Sequence, residues 1–300
     1  MYQLLIIGAG PAGLSASIYA SRYHLKHLVI GKEIGGLANS AHVIENWPGN
    51  KQTSGAELMK SFREHAESLG GEILNDQIAE IKKINGGFLV KTVGGQELTA
   101  QSLILAMGTE HRPLAVPGEK ELLGKGVSYC AICDGPLFKG KTVAVAGGSD
   151  CAAITATFLA DFCGKVYIIY RNGQMRCEPI WQERLKQNRK IEIITDANIK
   201  EIKGVDKVVG LILDNGREIA LDGLFIEIGS APNVKELTEL GVALIEEDYI
   251  KIDESGATSV PGVYAAGDIT SGSNKLRQVI TSSAEGVVAA VSAAKYLKES

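Results

Sequence analysis

Apolar and polar positions alternate in blocks that suit a parallel sheet wrapped by helices. Residues 3–7 (Gln-Leu-Leu-Ile-Ile), apolar throughout after Gln3, read as a buried parallel strand. A glycine cluster follows, then an apolar helix-like stretch over Ala12–Ser21 and a second apolar run over His27–Ile30, which together make a βαβ unit. From Gly31 to Gly55 the pattern breaks into Gly, Asn, Ser and Pro, a loop facing a ligand, before helical spacing resumes over Ala56–Leu69. Short β-rich runs follow at Phe88–Thr92 and Ser102–Ala106, set off by Asn85-Gly86-Gly87 and Gly94-Gly95.

The same block pattern then restarts. Lys141–Ala146 reads as strand, Gly147-Gly148 as turn, Ala152–Phe162 as helix and Lys165–Tyr170 as the next strand. Segment 108–113 reads as a crossing into a second domain, and after Ser230-Ala-Pro-Asn233 the composition turns loop-like. Near the end, Gly262–Asp268 closes an apolar strand on a Gly-Asp pair, and an Ala/Val-rich helix over Gln278–Leu297 is expected to pack back on the first domain. The expected fold is α/β, with two Rossmann-like three-layer domains, one inserted into the other.

Composition narrows the chemistry. Three hundred residues, 45% hydrophobic, can bury two cores. A formal charge of -4 with no basic tract excludes a nucleic-acid face. No apolar stretch reaches the roughly 20 residues that cross a bilayer, and Met1–Ile7 is too short for a signal segment, so a cytoplasmic, membrane-free protein is expected. Five cysteines with one close pair do not make a secreted disulfide framework, and neither they nor the scattered histidines have metal-ligand spacing; no metal is expected.

Two constellations carry chemistry. Gly8, Gly10 and Gly13, with Pro11 and Ala12 between, stand between strand and helix: the first glycine allows the turn, the second lets backbone approach a pyrophosphate, the third lets helix and strand pack. No acid ends the second strand, so the loop alone leaves FAD and NAD both open. Cys130-Ala-Ile-Cys133 can close and reopen a small disulfide, with Asp134 beside it to give or take a proton. Two buried, inert cysteines are the plainer alternative.

The glycine opening, Glu45-Asn46-Trp47-Pro48-Gly49, the Cys-Ala-Ile-Cys-Asp-Gly centre and Ala266-Gly267-Asp268 followed by Arg277-Gln278 occur in one order along the chain. In these motifs the whole chain resembles the low-molecular-weight thioredoxin reductases, a family of FAD-containing pyridine nucleotide-disulfide oxidoreductases. The resemblance implies an FAD-binding domain from 1–112 and 244–300 and an inserted NAD(P)H-binding-like domain over 113–243 that carries the CxxC. It implies FAD contacts at Gly35, Gly36, Asn46, Gly108, Gly267, Asp268, Arg277, Gln278 and Val279, besides the opening loop. Electrons would enter the disulfide at Cys133, Cys130 would attack the disulfide of thioredoxin, and the protein would be a homodimer whose domains rotate against each other.

The second glycine loop departs from this family. Relatives carry GxGxxA and a His-Arg-Arg-x-x-x-Arg cluster for the 2'-phosphate; here Gly147 and Gly148 are followed by Ser149, and Tyr170-Arg171-Asn172 precedes Arg176. Arg171 and Arg176 could hold NADPH or be ordinary solvated arginines. Three readings result: an NAD(P)H-driven thioredoxin reductase, a ferredoxin-dependent flavin relative with a degenerate nucleotide site, and a flavoprotein scaffold without turnover.

Overall fold

In the computed structural model, which describes residues 1–232, 234–245 and 248–299, the chain forms two compact units. One takes residues 1–39, 44–110 and 231–300; the other takes 111–230 together with 40–43.

In the first unit β1 (Tyr2–Ile7) feeds helix α1 (Pro11–Arg22) and then β2 (His27–Gly31). Helix α2 (Gly55–Ser68) starts on a capping box in which Ser54 Oγ accepts the Glu57 N–H and the Glu57 carboxylate accepts the Ser54 N–H. Strands β3 (Glu72–Asn75), β4 (Ile78–Ile84), β5 (Gly87–Thr92) and β6 (Glu97–Leu105) complete this stretch. The sheet runs β3-β2-β1-β6-β5-β4. The long β6 serves two roles: its first half pairs antiparallel with β5, and its second half lies parallel to β1.

The crossing segments pair as a two-stranded ribbon, β7 (Thr109–His111) with a strand at Ser230–Pro232. In the second unit, β8 (Val127–Ser128) leads into the short helix α3 (Ala131–Asp134). Then come β9 (Thr142–Ala146), α4 (Asp150–Phe162), β10 (Lys165–Ile169), α5 (Pro179–Gln187) and β11 (Ile191–Ile194). An antiparallel meander, β12 (Ile199–Gly204), β13 (Val208–Leu213) and β14 (Glu218–Ala220), precedes β15 (Gly223–Ile226). The five-stranded parallel sheet has the order β11-β10-β9-β15-β8. Its central strands β9 and β15 are almost wholly apolar and buried because helices or the meander cover both faces.

The return strand, at Ser230–Pro232, is β16; β17 (Val263–Ala265) then pairs parallel with β6, and α6 (Val279–Glu299) closes the first unit against α1. The helices meet at small residues: a Cβ on Gly286 would stand 2.1 Å from the Ala12 carbonyl oxygen. Residues 231–243, which the family resemblance places in the insert, cluster with the first unit, because Leu237 and Leu240 are buried in its core with Ile81 and Ile250. The expected loop residue Asn233 lies outside the described residues. Among the described residues no helix is long and apolar enough to cross a membrane.

Candidate functional site

Burial separates the three glycines of the first turn by role. Gly8 has φ +115°, and a Cβ there would lie 2.0 Å from the Ala106 oxygen; on Gly13 it would lie 1.8 Å from the Gly8 oxygen. Both are required by the protein's own packing. Gly10 is different: its φ of -80° suits any residue, and the nearest atom to an added Cβ is the Gly35 oxygen at 4.0 Å. The space in front of Gly10 is therefore not filled by the chain.

Of the predicted residues of the first unit, Gly35, Gly36 and Gly267 lie against that turn, and the others make contacts of their own. Gly35 donates its N–H to the Ala9 carbonyl (2.7 Å), and a Cβ on Gly36 would stand 3.5 Å from Gly10 Cα. Gly267 packs on Ala12, whose Cβ is 3.0 Å from where a side chain would begin. Asp268 accepts a hydrogen bond from Ser282 Oγ (2.8 Å), and burial raises its carboxyl above the usual range. Asn46 Nδ2 donates to Gln278 Oε1 (3.1 Å), joining residues far apart in sequence, with Val279 opening α6 beside them. Arg277 lays its guanidinium over the Tyr249 ring at 4.2 Å. Gly108 has φ +65° and open space beyond it.

This half fits a dinucleotide. The N-cap of α1 is Gly10, with no side-chain cap and no acid in the first turn, so the helix presents uncapped N–H groups to whatever occupies the space. Sequence reading did not single out Glu285, whose carboxylate accepts from the Gly267 N–H and from the Thr270 and Ser273 hydroxyls. Its partners sit 12 to 18 residues away, beyond any local pattern.

In the second unit Cys130 and Cys133 are joined as a disulfide. The Cys133 N–H points at Cys130 Sγ (3.3 Å), and the Asp134 N–H donates to the Cys130 carbonyl (3.1 Å). As whole residues Cys133 is exposed and Cys130 half-buried. Cys151, Cys163 and Cys177 stand outside the disulfide; burial pushes the Cys163 thiol up to about 11 and raises that of Cys177, which leaves both poor nucleophiles.

The second glycine turn is built like the first but filled differently. In each unit the second strand pairs in the same register with the first, Ile30 with Ile7 and Ile169 with Ala146, so Tyr170 stands where Gly31 stands in the other unit. A Cβ on Gly148 would meet the Tyr170 ring at 2.4 Å. The Arg176 N–H donates to the Gly148 carbonyl (2.7 Å), and Asp150, in the first turn of α4, accepts the Glu178 N–H (2.7 Å). Segment 176–178 is thus tied to the turn by its backbone. Ser149 occupies the place of Gly10, and Arg171 and Arg176 are exposed. Beside the turn, Glu227 follows β15; burial holds its carboxyl up to about 7, with the Thr155 hydroxyl donating to it at 2.9 Å. Neither Tyr170 nor Glu227 was marked by sequence as a site residue.

Two glycine-turn units and a CxxC disulfide define a nucleotide-linked disulfide oxidoreductase. The chain belongs to the pyridine nucleotide-disulphide oxidoreductase family, whose pattern matches residues 2–286. It is 39% identical to a thioredoxin reductase of Bacillus subtilis (strain 168), an alignment covering all of this chain and 96% of that protein. The crystal structure of Lactococcus lactis thioredoxin reductase superposes with a TM-score of 0.95 at 34% identity, each chain covered in full. A ferredoxin-flavin thioredoxin reductase from Clostridium acetobutylicum, at 34% identity, gives a TM-score of 0.55 over all of this chain and 99% of that one.

Proposed function

We propose that this chain is a flavin-dependent thioredoxin reductase. The carrying observation is the Cys130–Cys133 disulfide within a two-unit chain that resembles thioredoxin reductases over its whole length. FAD would lie in front of Gly10, held by the α1 N-terminus, the Gly35-Gly36 loop, Asp268 and the Asn46–Gln278 pair, with Gly108, Arg277 and Val279 at its margin. Bound there, it supplies the electron pair that opens the disulfide. The chain's own part is thiol exchange: one thiolate of the pair attacks the disulfide of thioredoxin, a mixed disulfide forms, and the second thiolate displaces thioredoxin as a dithiol while the Cys130–Cys133 bond closes again. Asp134 manages the proton of that exchange. Function in the cytoplasm as a homodimer is inferred from the family resemblance.

NADPH or NADH is the donor that the family relationship supports, with Gly147, Gly148, Ser149, Arg171 and Arg176 as its site. A second reading, in which reduced ferredoxin is the donor, is favoured by the second turn: Tyr170 lies on Gly148, Ser149 stands in the place of Gly10, and the Asp150 carboxylate sits in the first turn of α4, where a phosphate would bring like charge. Anaerobic stopped-flow absorbance of the flavin, mixed separately with NADPH, NADH and reduced ferredoxin with oxidised thioredoxin as sink, tests both. Bleaching by a pyridine nucleotide with thioredoxin thiols appearing supports the first reading, and bleaching by ferredoxin alone supports the second. Flavin reduction that never yields thioredoxin thiols overturns the proposal.

A further inference from the structure

Cys130 is held by its chain neighbours as well as by its disulfide. The Cys130 N–H donates to Ser128 Oγ (2.9 Å), and the hydroxyl of Tyr129 donates to Glu119 Oε1. Glu119 is 5% exposed, and the same carboxylate accepts the backbone N–H of Leu114 (2.8 Å) and of Ala115 (2.6 Å). Ala115 has φ +59°, a conformation unfavourable for alanine that the bond to Glu119 Oε2 holds in place. Burial first, then the bond to Glu119 and its charge, raise the Tyr129 phenol, so it remains a donor throughout the working pH range. One buried carboxylate thus ties the residue before Cys130 to the segment that follows the first crossing.

The brace matters most when the disulfide is open. Two electrons and two protons convert the Cys130–Cys133 bond into two thiols, and the covalent link that fixed one sulfur against the other is gone. The Cys133 N–H can still stabilise a Cys130 thiolate, as it does Sγ at 3.3 Å, only if the Cys130 backbone stays in register. We propose that Tyr129 and Glu119 are positioning residues for reduced Cys130, keeping its sulfur under the Cys133 N–H once the disulfide has opened. The inference rests on the reading that the pair cycles between disulfide and dithiol.

The test uses the full flavin-loaded protein, as wild type, Tyr129→Phe and Glu119→Gln. Ultraviolet thiolate absorbance of the reduced protein is titrated against pH, and thioredoxin reduction is measured at neutral pH. A hydrogen bond to a charged group lost from the brace should raise the lowest thiol midpoint in Tyr129→Phe by about one pH unit and lower kcat about tenfold, with KM for thioredoxin unchanged. A Tyr129→Phe protein that melts earlier but keeps the wild-type midpoint and kcat overturns the proposal. Should that variant not fold, Glu119→Gln, which keeps the shape without the charge, is held to the same criterion. A wild type that forms no dithiol on flavin reduction instead removes the functional reading beneath it.

Discussion

The ring of Tyr170 lies against Gly148, close enough that a Cβ on the glycine would come within 2.4 Å of it. Its counterpart in the first unit, Gly31, leaves no such ring beside the turn, since the two positions share one register. One backbone plan thus yields an open turn and a filled one.

The filled turn should bind pyridine nucleotides poorly. Ser149→Gly combined with Asp150→Asn removes the side chain at the Gly10-like position and the carboxylate at the α4 N-terminus, and should tighten NADPH binding on the order of tenfold, about 1.4 kcal/mol. Calorimetric titration of both proteins decides it. Equal, micromolar affinity in wild type and variant would show that the turn is open to nucleotide as it stands.

At the open turn the three glycines should respond unequally. Gly10→Ala meets no protein atom closer than 4.0 Å and should fold normally while retaining flavin about tenfold less well. Gly13→Ala would place a methyl 1.8 Å from the Gly8 oxygen and should lose the fold with the flavin. Circular dichroism and flavin absorbance on purified variants separate the outcomes; identical behaviour of the two would contradict the distinction.

The two cysteines should trap a partner unequally. With Cys130 as the attacking sulfur, the role that the family resemblance implies, Cys133→Ser should form a stable mixed disulfide with a thioredoxin lacking its resolving cysteine, and Cys130→Ser should form much less. Non-reducing gels of the two incubations give the answer. Trapping by Cys130→Ser alone would move the attack to Cys133.

Glu227 should make stability depend on pH. Its carboxyl is held at about 7 against an ordinary 4.5, so between those values the unfolded chain is the more ionised state. Stability from this group is fully present below about 4.5 and is lost as pH rises through about 7, a change on the order of 3 kcal/mol. Denaturant unfolding at pH 5 to 8 should show a fall in wild type that Glu227→Gln flattens. Parallel curves for the two proteins would mean that Glu227 is ionised in the fold throughout.

Local periodicity was enough to read both βαβ units, the first glycine turn and the CxxC, because each is a contiguous segment whose apolar period and turn residues agree. What remained hidden depends on partners far apart in sequence. Thr155 and Glu227 are separated by 72 residues, and neither carries a local signal that they meet. Glu119 looks like one more surface acid until the fold brings Leu114, Ala115 and Tyr129 to it. Segment 40–43 lies in the sequence of the first unit yet belongs to the second, where the His42 ring packs 4.0 Å from that of Phe158. The boundary near 231 was missed for a related reason: Leu237 and Leu240 are too few to signal a core stretch, and only their burial places them.

The pairing of β17 with β6, and the seat of α6 on α1, set an order of events during synthesis. At ribosomal rates of about 5–20 residues per second, the first hundred residues wait roughly eight to forty seconds for the strand and helix that complete their sheet and cover α1. The unit between them can finish folding in that interval. The nascent chain therefore carries an ordered thiol-bearing segment while the apolar faces of its opening strands are still uncovered, and chaperones would find their work there rather than around the cysteines.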